Sequence, residues 1–181
     1  MKWGLMATDT ARLELRPFSP EHLLALLDSP RQFEERMGLR AADGLRDFYM
    51  SDDVSPAWLA QLRAAPAADP WVLGFAVIPR ESGEVVGGAG FKGPPDENGM
   101  VEIAYGIVPG YQGRGFATEA ACALVAFAFG DGRVNLVRAH TFPENNGSTR
   151  VLTKCGFSFV GEVVDPEDGL VWRWERTRES A

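Results

Sequence analysis

Two groups of residues in this sequence have the types and spacing to do chemistry. The first is the stretch VPGYQGRGFATEA, Val108 to Ala120, where Gly110, Gly113 and Gly115 precede an Ala-rich segment. Backbone N–H groups at the start of a helix, with no bulky side chain over them, attract anions, and Arg114 adds a charged donor. The chemistry is that of a phosphate or pyrophosphate site, although a bare strand-to-helix turn would use the same glycines. A P-loop is excluded, because no GxxxxGK followed by Ser or Thr occurs. The dinucleotide fingerprint fails too, since Thr118 stands where its third glycine belongs. The second group is Glu102 in VEIAYGIV. A carboxylate between Val101 and Ile103 on a mostly buried strand would have a raised pKa and suit a base near neutral pH. On the solvent side of the pleat it would be a surface glutamate.

Other chemistries are thinly supplied. Cys122 and Cys155 lie far apart in apolar, helical contexts, and only His22 and His140 could join them, so no metal site is expected and both thiols read as buried filler. The net charge of -7 argues against general binding of nucleic acid or anionic membrane, which needs a basic footprint. The opening MKWGLMATDT has no apolar run long enough for a signal peptide, and no segment approaches the ~20 apolar residues of a membrane span. A cytoplasmic protein is the expectation. With 45% apolar and 24% charged residues in 181, one globular domain over 1–181 is expected.

The elements that must position these groups can be read from periodicity. ARLELRPF alternates as a half-buried strand, and SPEHLLALLDS follows as a helix with Ser19 capping and Pro20 in the first turn. Pro30 to Ala64 reads as helical pieces. WVLGFAVIP, VVGGAGFKG and MVEIAYGIV read as a three-stranded antiparallel meander. FATEAACALVAFAFG is a buried helix, VNLVRAHTF a strand, and PENNGSTRVLTKCGF a short helix capped by Asn145 or Asn146. SFVGEVV and LVWRWER close the chain as two strands. A mixed sheet covered by helices fits this order, with the glycine loop inside its parallel βαβ unit.

These residues resemble the GNAT (GCN5-related N-acetyltransferase) superfamily. QGRGFA, Gln112 to Ala117, is similar to its acyl-CoA loop Q/R-x-x-G-x-G/A, and NNGSTRVLTKCGF is similar to its Asn-x-x-Ser…Gly-Phe element, through Asn145, Ser148, Gly156 and Phe157. The start of the chain resembles the RimJ/RimL-like ribosomal-protein acetyltransferase branch. The resemblance covers nearly the whole chain. It implies an α+β (mixed α/β) fold, with a mostly antiparallel sheet of about six or seven strands and one splayed parallel pair. It implies acetyl-CoA as co-substrate, no metal, and acetyl transfer to a primary amine on a protein N-terminus or small molecule, by direct attack in a ternary complex. It admits a homodimer. By position, Gln112, Gly113, Arg114, Gly115, Phe116, Ala117 and Thr118 would cradle the pyrophosphate. Main-chain groups of Ile107 and Val108 would hold the pantetheine, with Asn145 and Ser148 beside it. The Val108 N–H would stabilise the oxyanion and Glu102 would act as general base. The sequence departs from the family where many members carry a thiolate-protonating Tyr: here that position is Leu152, leaving Tyr105, Tyr111 or Cys155 as substitutes, or no acid at all, since a thiolate is a good leaving group. That gap motivates an alternative, a non-catalytic acyl-CoA-binding regulatory module. Phe33, Phe48, Tyr49 and Trp58 could line an acceptor site or belong to the core.

Overall fold

The structure, a computed structural model, describes residues 8–51 and 54–178. Most of the opening stretch read for a leader, residues 1–7, lies outside them. The chain begins with strand β1 (Leu13–Pro17), then helices α1 (Pro20–Asp28), α2 (Pro30–Met37), α3 (Leu45–Met50), α4 (Pro56–Ala64) and α5 (Pro70–Leu73). Strands β2 (Phe75–Pro79), β3 (Gly87–Phe91) and β4 (Met100–Ile107) follow. Then come α6 (Phe116–Phe129), β5 (Leu136–Thr141), α7 (Gly147–Lys154), β6 (Ser158–Asp165) and β7 (Gly169–Thr177). The strands form one sheet in the order β1-β2-β3-β4-β5-β7-β6, antiparallel except for β4 beside β5. This is the expected mixed architecture with its single parallel pair.

Local sequence explains the starts of the helices. Ser19, Ser29 and Ser55 each accept a backbone N–H from the first turn of α1, α2 and α4, with Pro at the first helical position in all three. One boundary differs from the sequence reading. Trp71–Leu73, expected as strand, forms the turn α5, because Asp69 caps it and Pro70 opens it. The chain then reverses at Gly74, where φ is 70° and a Cβ would stand 2.7 Å from the Ala89 carbonyl oxygen.

The two faces of the sheet serve different purposes. Val101, Ile103 and Ile107 alternate onto the face covered by α6, where Phe75, Phe91, Phe127 and Trp71 pack ring against ring. Glu102, Ala104 and Gly106 take the other face, beneath α3. There Gly88 and Gly106 leave room for Tyr49 and Phe48: a Cβ on either glycine would overlap those rings. The apolar α6 is buried almost all round, which fixes its N-terminus at the end of β4.

Candidate active site

The glycine loop sits where the sequence places it. Gly113 and Gly115 have φ of 76° and 82°, a left-handed conformation costly for any residue with a Cβ. Gly115 caps α6 with no side-chain hydrogen bond, so the leading amides of a 14-residue helix stay open to an anion. Gln112 is exposed, and its Nε2 donates to the Ile107 carbonyl at 2.9 Å and ties the loop to the strand end. Arg114 is exposed and folds back over the Tyr111 ring, with its carbon 4.9 Å from the ring centre. The loop is braced from β1 by residues the sequence reading passed over. Arg12 donates to the Arg114 carbonyl at 2.8 Å and pairs with Glu119 at 2.6 Å, and Thr10 donates to the same carboxylate at 2.8 Å. Partial burial works against the charge on Glu119, but these hydrogen bonds outweigh it and hold its pKa below the usual glutamate value.

The end of β4 is splayed. β4 pairs with β5 only from Met100 to Glu102, although both strands run on, to Ile107 and Thr141. One expectation is corrected here. The Val108 N–H donates to the Val86 carbonyl at 2.9 Å, on the β3 side, and is not open to an oxyanion. The Glu102 carbonyl likewise accepts from the Lys92 N–H, just past the end of β3. By the alternation of the ladder, the main-chain groups that face the opening are those of Tyr105 and Ile107.

Around the opening lies a cavity of about 680 Å³. It is lined by Ile107, Gln112, Gly113, Gly115, Phe116, Ala117 and Thr118 from the loop side and by Ser148 from α7. Asn145 is exposed and does not line it; its neighbour Asn146 does, and Asn146 is the helix cap, exchanging hydrogen bonds with Thr149 in a capping box. Arg150 and Lys154 add two positive side chains one helical turn apart, which the sequence reading missed. Their spacing, read against the Asn146 cap, would have put both on one face.

Leu152, at the position of the missing tyrosine, is fully buried in the core. Of its three possible substitutes, Tyr111 is engaged by Glu84. Cys155 is joined to Cys122 in a disulfide between the end of α7 and α6, which corrects the reading of the two thiols as unpaired filler. Their separation of 33 residues hid a pair that the packing of α6 on α7 brings together. Tyr105 remains. Its hydroxyl is buried beside Ser148, and burial pushes its pKa up to about 12 against the smaller lowering effect of that serine.

Glu102 is not a lone carboxylate in an apolar strand. His140 Nδ1 lies 2.8 Å from it and Lys92 Nζ 3.1 Å, and Arg173 donates to the far nitrogen of His140 at 3.1 Å. Burial disfavours the charge on Lys92, but the attraction of Glu102 wins and raises its pKa. Lys92 and Ala104, on the same face as Glu102, line a second cavity of about 470 Å³. Its walls include Phe48, Tyr49 and Trp58, and Glu167 and Asp168 stand at its rim. Phe33, by contrast, is wholly in the core. Phe48 and Tyr105 line both cavities and form the wall where they meet. Among the described residues, no group of His, Cys, Asp and Glu could hold a metal ion, and no helix is long and apolar enough to cross a membrane.

Comparison with known proteins agrees with this geometry. Residues 12–158 match the family described as Acetyltransferase (GNAT) domain. The chain is 36% identical over 89 residues to the uncharacterized N-acetyltransferase YjdG of Bacillus subtilis, covering 49% of this chain and 51% of that one. It is 36% identical over 93 residues to the uncharacterized N-acetyltransferase p20 of Bacillus licheniformis, covering 51% and 52%. The matched region thus spans about half the length of these curated relatives. The fold is shared with RimL, a ribosomal L7/L12 alpha-N-protein acetyltransferase solved with coenzyme A, at a TM-score of 0.63 and 18% identity over 95% of this chain and 97% of that one. It is shared also with the aminoglycoside acetyltransferase AAC(6')-Ib in complex with coenzyme A, at a TM-score of 0.60 and 22% identity over 93% and 96%. The splayed β4, the open amides of α6 and the family match over most of the sequence lead to one assignment: the chain belongs to the GNAT acetyltransferase family.

Proposed function

We propose that the protein, as a single domain, is an N-acetyltransferase that moves an acetyl group from acetyl-CoA to a primary amine by direct attack in a ternary complex. The observation that carries this reading is the pair of cavities meeting at Phe48 and Tyr105 beside the splayed end of β4. One has the donors for a pyrophosphate: the amides of Gly113 to Thr118, with Arg150 and Lys154 across from them. The other admits an acceptor.

The donor would supply a thioester carbonyl at the junction. The chain would then do three things. Glu102, held by His140 and Lys92, would take the ammonium proton through intervening water, since its side chain does not itself line either cavity. The Ile107 N–H, facing the opening, would replace Val108 as the donor to the developing oxyanion. Ser148 would hold the pantetheine arm from α7, a role in which Asn146 replaces Asn145. An acyl-CoA donor implies an intracellular setting; the Cys122–Cys155 disulfide is the feature at odds with a reducing cytoplasm.

The competing reading is a binding module without turnover, favoured by the burial of Leu152 where many relatives carry an acid. Incubation with acetyl-CoA and a panel of amines, following free thiol, separates the two. Thiol release that depends on the amine supports the transferase. Tight CoA binding with no release from any amine supports the module, and absence of CoA binding removes both.

A further inference from the structure

The acceptor cavity has a composition that narrows its occupant. Its floor is the small-residue face of the sheet, Gly88 and Gly90 on β3 and Ala104 on β4. Its walls are Phe48, Tyr49 and Trp58, the last two stacked with ring centres 5.7 Å apart and planes at 25°. Trp58 is fixed in this pose, because its indole N–H donates to the Val72 carbonyl at 3.0 Å. The cavity volume of about 470 Å³ lies in the ~300–1,000 Å³ range of small-molecule sites. On β4 it is lined by Ala104 and Tyr105, and Tyr105 marks its junction with the other cavity.

Among the described residues, the charged side chains lining the cavity are Lys92, Glu167 and Asp168, with Glu102 and Asp165 near Lys92 but outside the lining. Lys92 lies 3.1 Å from Glu102 and 3.7 Å from Asp168, so its charge is matched, and Glu167 adds an exposed carboxylate at the rim. Two lining carboxylates against one lining cation leave an excess of negative charge, which attracts an ammonium ion. The rest of the lining is mostly rings and small residues, with Ser51, Ser55 and Gln61 as its uncharged polar side chains and Ser55 already bonded to Glu167. These are too few to re-pair the many polar groups of a polyamine or aminosugar, which would lose hydration there. An apolar ring would lose none and would pack on Tyr49 and Trp58.

We propose that this cavity takes a small primary amine carried on an apolar, ring-sized body. Its ammonium is drawn in by the Glu167–Asp168 rim and its ring rests on Tyr49 and Trp58. The proposal rests on the N-acetyltransferase reading but is separable from it. The test compares 2-phenylethylamine, spermidine, kanamycin and a Ser-initiated peptide as acceptors at saturating acetyl-CoA, following free thiol. Phenylethylamine is expected to exceed each of the others in kcat/KM by tenfold or more. Ala104→Leu, which fills the floor, is expected to raise its KM at least tenfold while CoA affinity stays within twofold. The paired change Glu167→Gln and Asp168→Asn is expected to raise KM about threefold at low salt and little at high salt. N,N-dimethylphenylethylamine, which cannot be acetylated, reads binding directly by calorimetry against wild type and Ala104→Leu, so the cavity is tested even without turnover. Kanamycin, spermidine or the peptide as best acceptor overturns the proposal and leaves the transferase reading intact. Dimethylphenylethylamine binding equally well to wild type and Ala104→Leu overturns it as well. Amine binding without thiol release from any acceptor sinks the transferase reading instead, and leaves the cavity's preference standing.

Discussion

On the Gln112–Thr118 side of the Phe48–Tyr105 wall, the site is built mainly of backbone: left-handed glycines, open helix amides and a strand end that has no partner on β5 beyond Glu102. On the other side it consists of side chains, brought from α3, α4, β3, β4 and the β6–β7 turn onto a floor of small residues. A backbone site recognises a group common to many proteins and tolerates little change at its glycines. A side-chain site can be re-specified one residue at a time. The two cavities therefore predict two kinds of mutational response, and the catalytic step should separate from both.

The largest expected effect is on that step. Glu102→Gln keeps the shape of the side chain beside His140 and Lys92 but removes the base. Loss of a general base costs ~10²–10⁴ in rate, so kcat/KM should fall by about that factor, with CoA affinity within twofold by calorimetry. An unchanged rate would mean that the amine is deprotonated elsewhere, and would break the assignment of proton transfer to the acceptor face.

Next comes the backbone side. Gly115→Val places a β-branched residue at φ 82°, at a cost of ~1–2 kcal/mol or more, with its Cβ 3.0 Å from Arg12 Nη2. CoA affinity should fall by about tenfold or more, each tenfold being ~1.4 kcal/mol. The KM for the amine, at saturating donor, should move little. If both constants moved together, the two cavities would not be independent.

This contrast also explains what could be read in the sequence. The glycine loop was legible because left-handed backbone demands glycine at fixed positions, and fixed positions make a motif. The seven strands were legible from alternation and apolar runs, and the start of α1 from its Ser-Pro cap, whereas α2 to α4 were legible only as helical pieces without boundaries. The cap of α7 stayed open between Asn145 and Asn146 because two adjacent asparagines both satisfy a cap, and only the capping box with Thr149 decides for Asn146. The Val108 N–H was misassigned because which of two neighbouring amides faces the splay depends on register with β3, a relation across strands that no single segment carries. The Glu102–His140–Lys92 cluster joins three strands, and the Cys122–Cys155 pair joins two helices; neither leaves a spacing signature. The acceptor side was least legible for the same reason, with Trp58 and Asp168, far apart in sequence, lining one cavity.

A smaller effect tests whether the CoA side is backbone alone. Arg150→Ala and Lys154→Ala should each weaken CoA binding by about threefold at low ionic strength, and less in ~0.5 M salt, because exposed charges on a phosphate are screened. Loss of CoA binding altogether in either variant would move the main determinant from the loop amides to α7.

The smallest effect concerns the brace. Glu119 accepts from Thr10 and Arg12, and its folded pKa lies below its ordinary value of 4.5. A group with a depressed folded pKa contributes stability above its unfolded pKa and loses that contribution as pH falls through the folded one. The ion pair is partly exposed, with Arg12 52% accessible, so its worth is of the order of 0.2–1 kcal/mol. Glu119→Gln should therefore lower Tm by about 1–3 °C at pH 7. The gap between wild type and variant should close as the pH falls below the ordinary glutamate value of 4.5 and on through the lower folded pKa, where the wild-type carboxylate takes up its proton. The loop glycines would still hold their left-handed conformation in the variant, so CoA affinity at pH 7 should change less than it does in Gly115→Val. A Glu119→Gln effect on CoA as large as that of Gly115→Val would show that the β1 brace, and not the loop backbone, sets the geometry of the cofactor cavity.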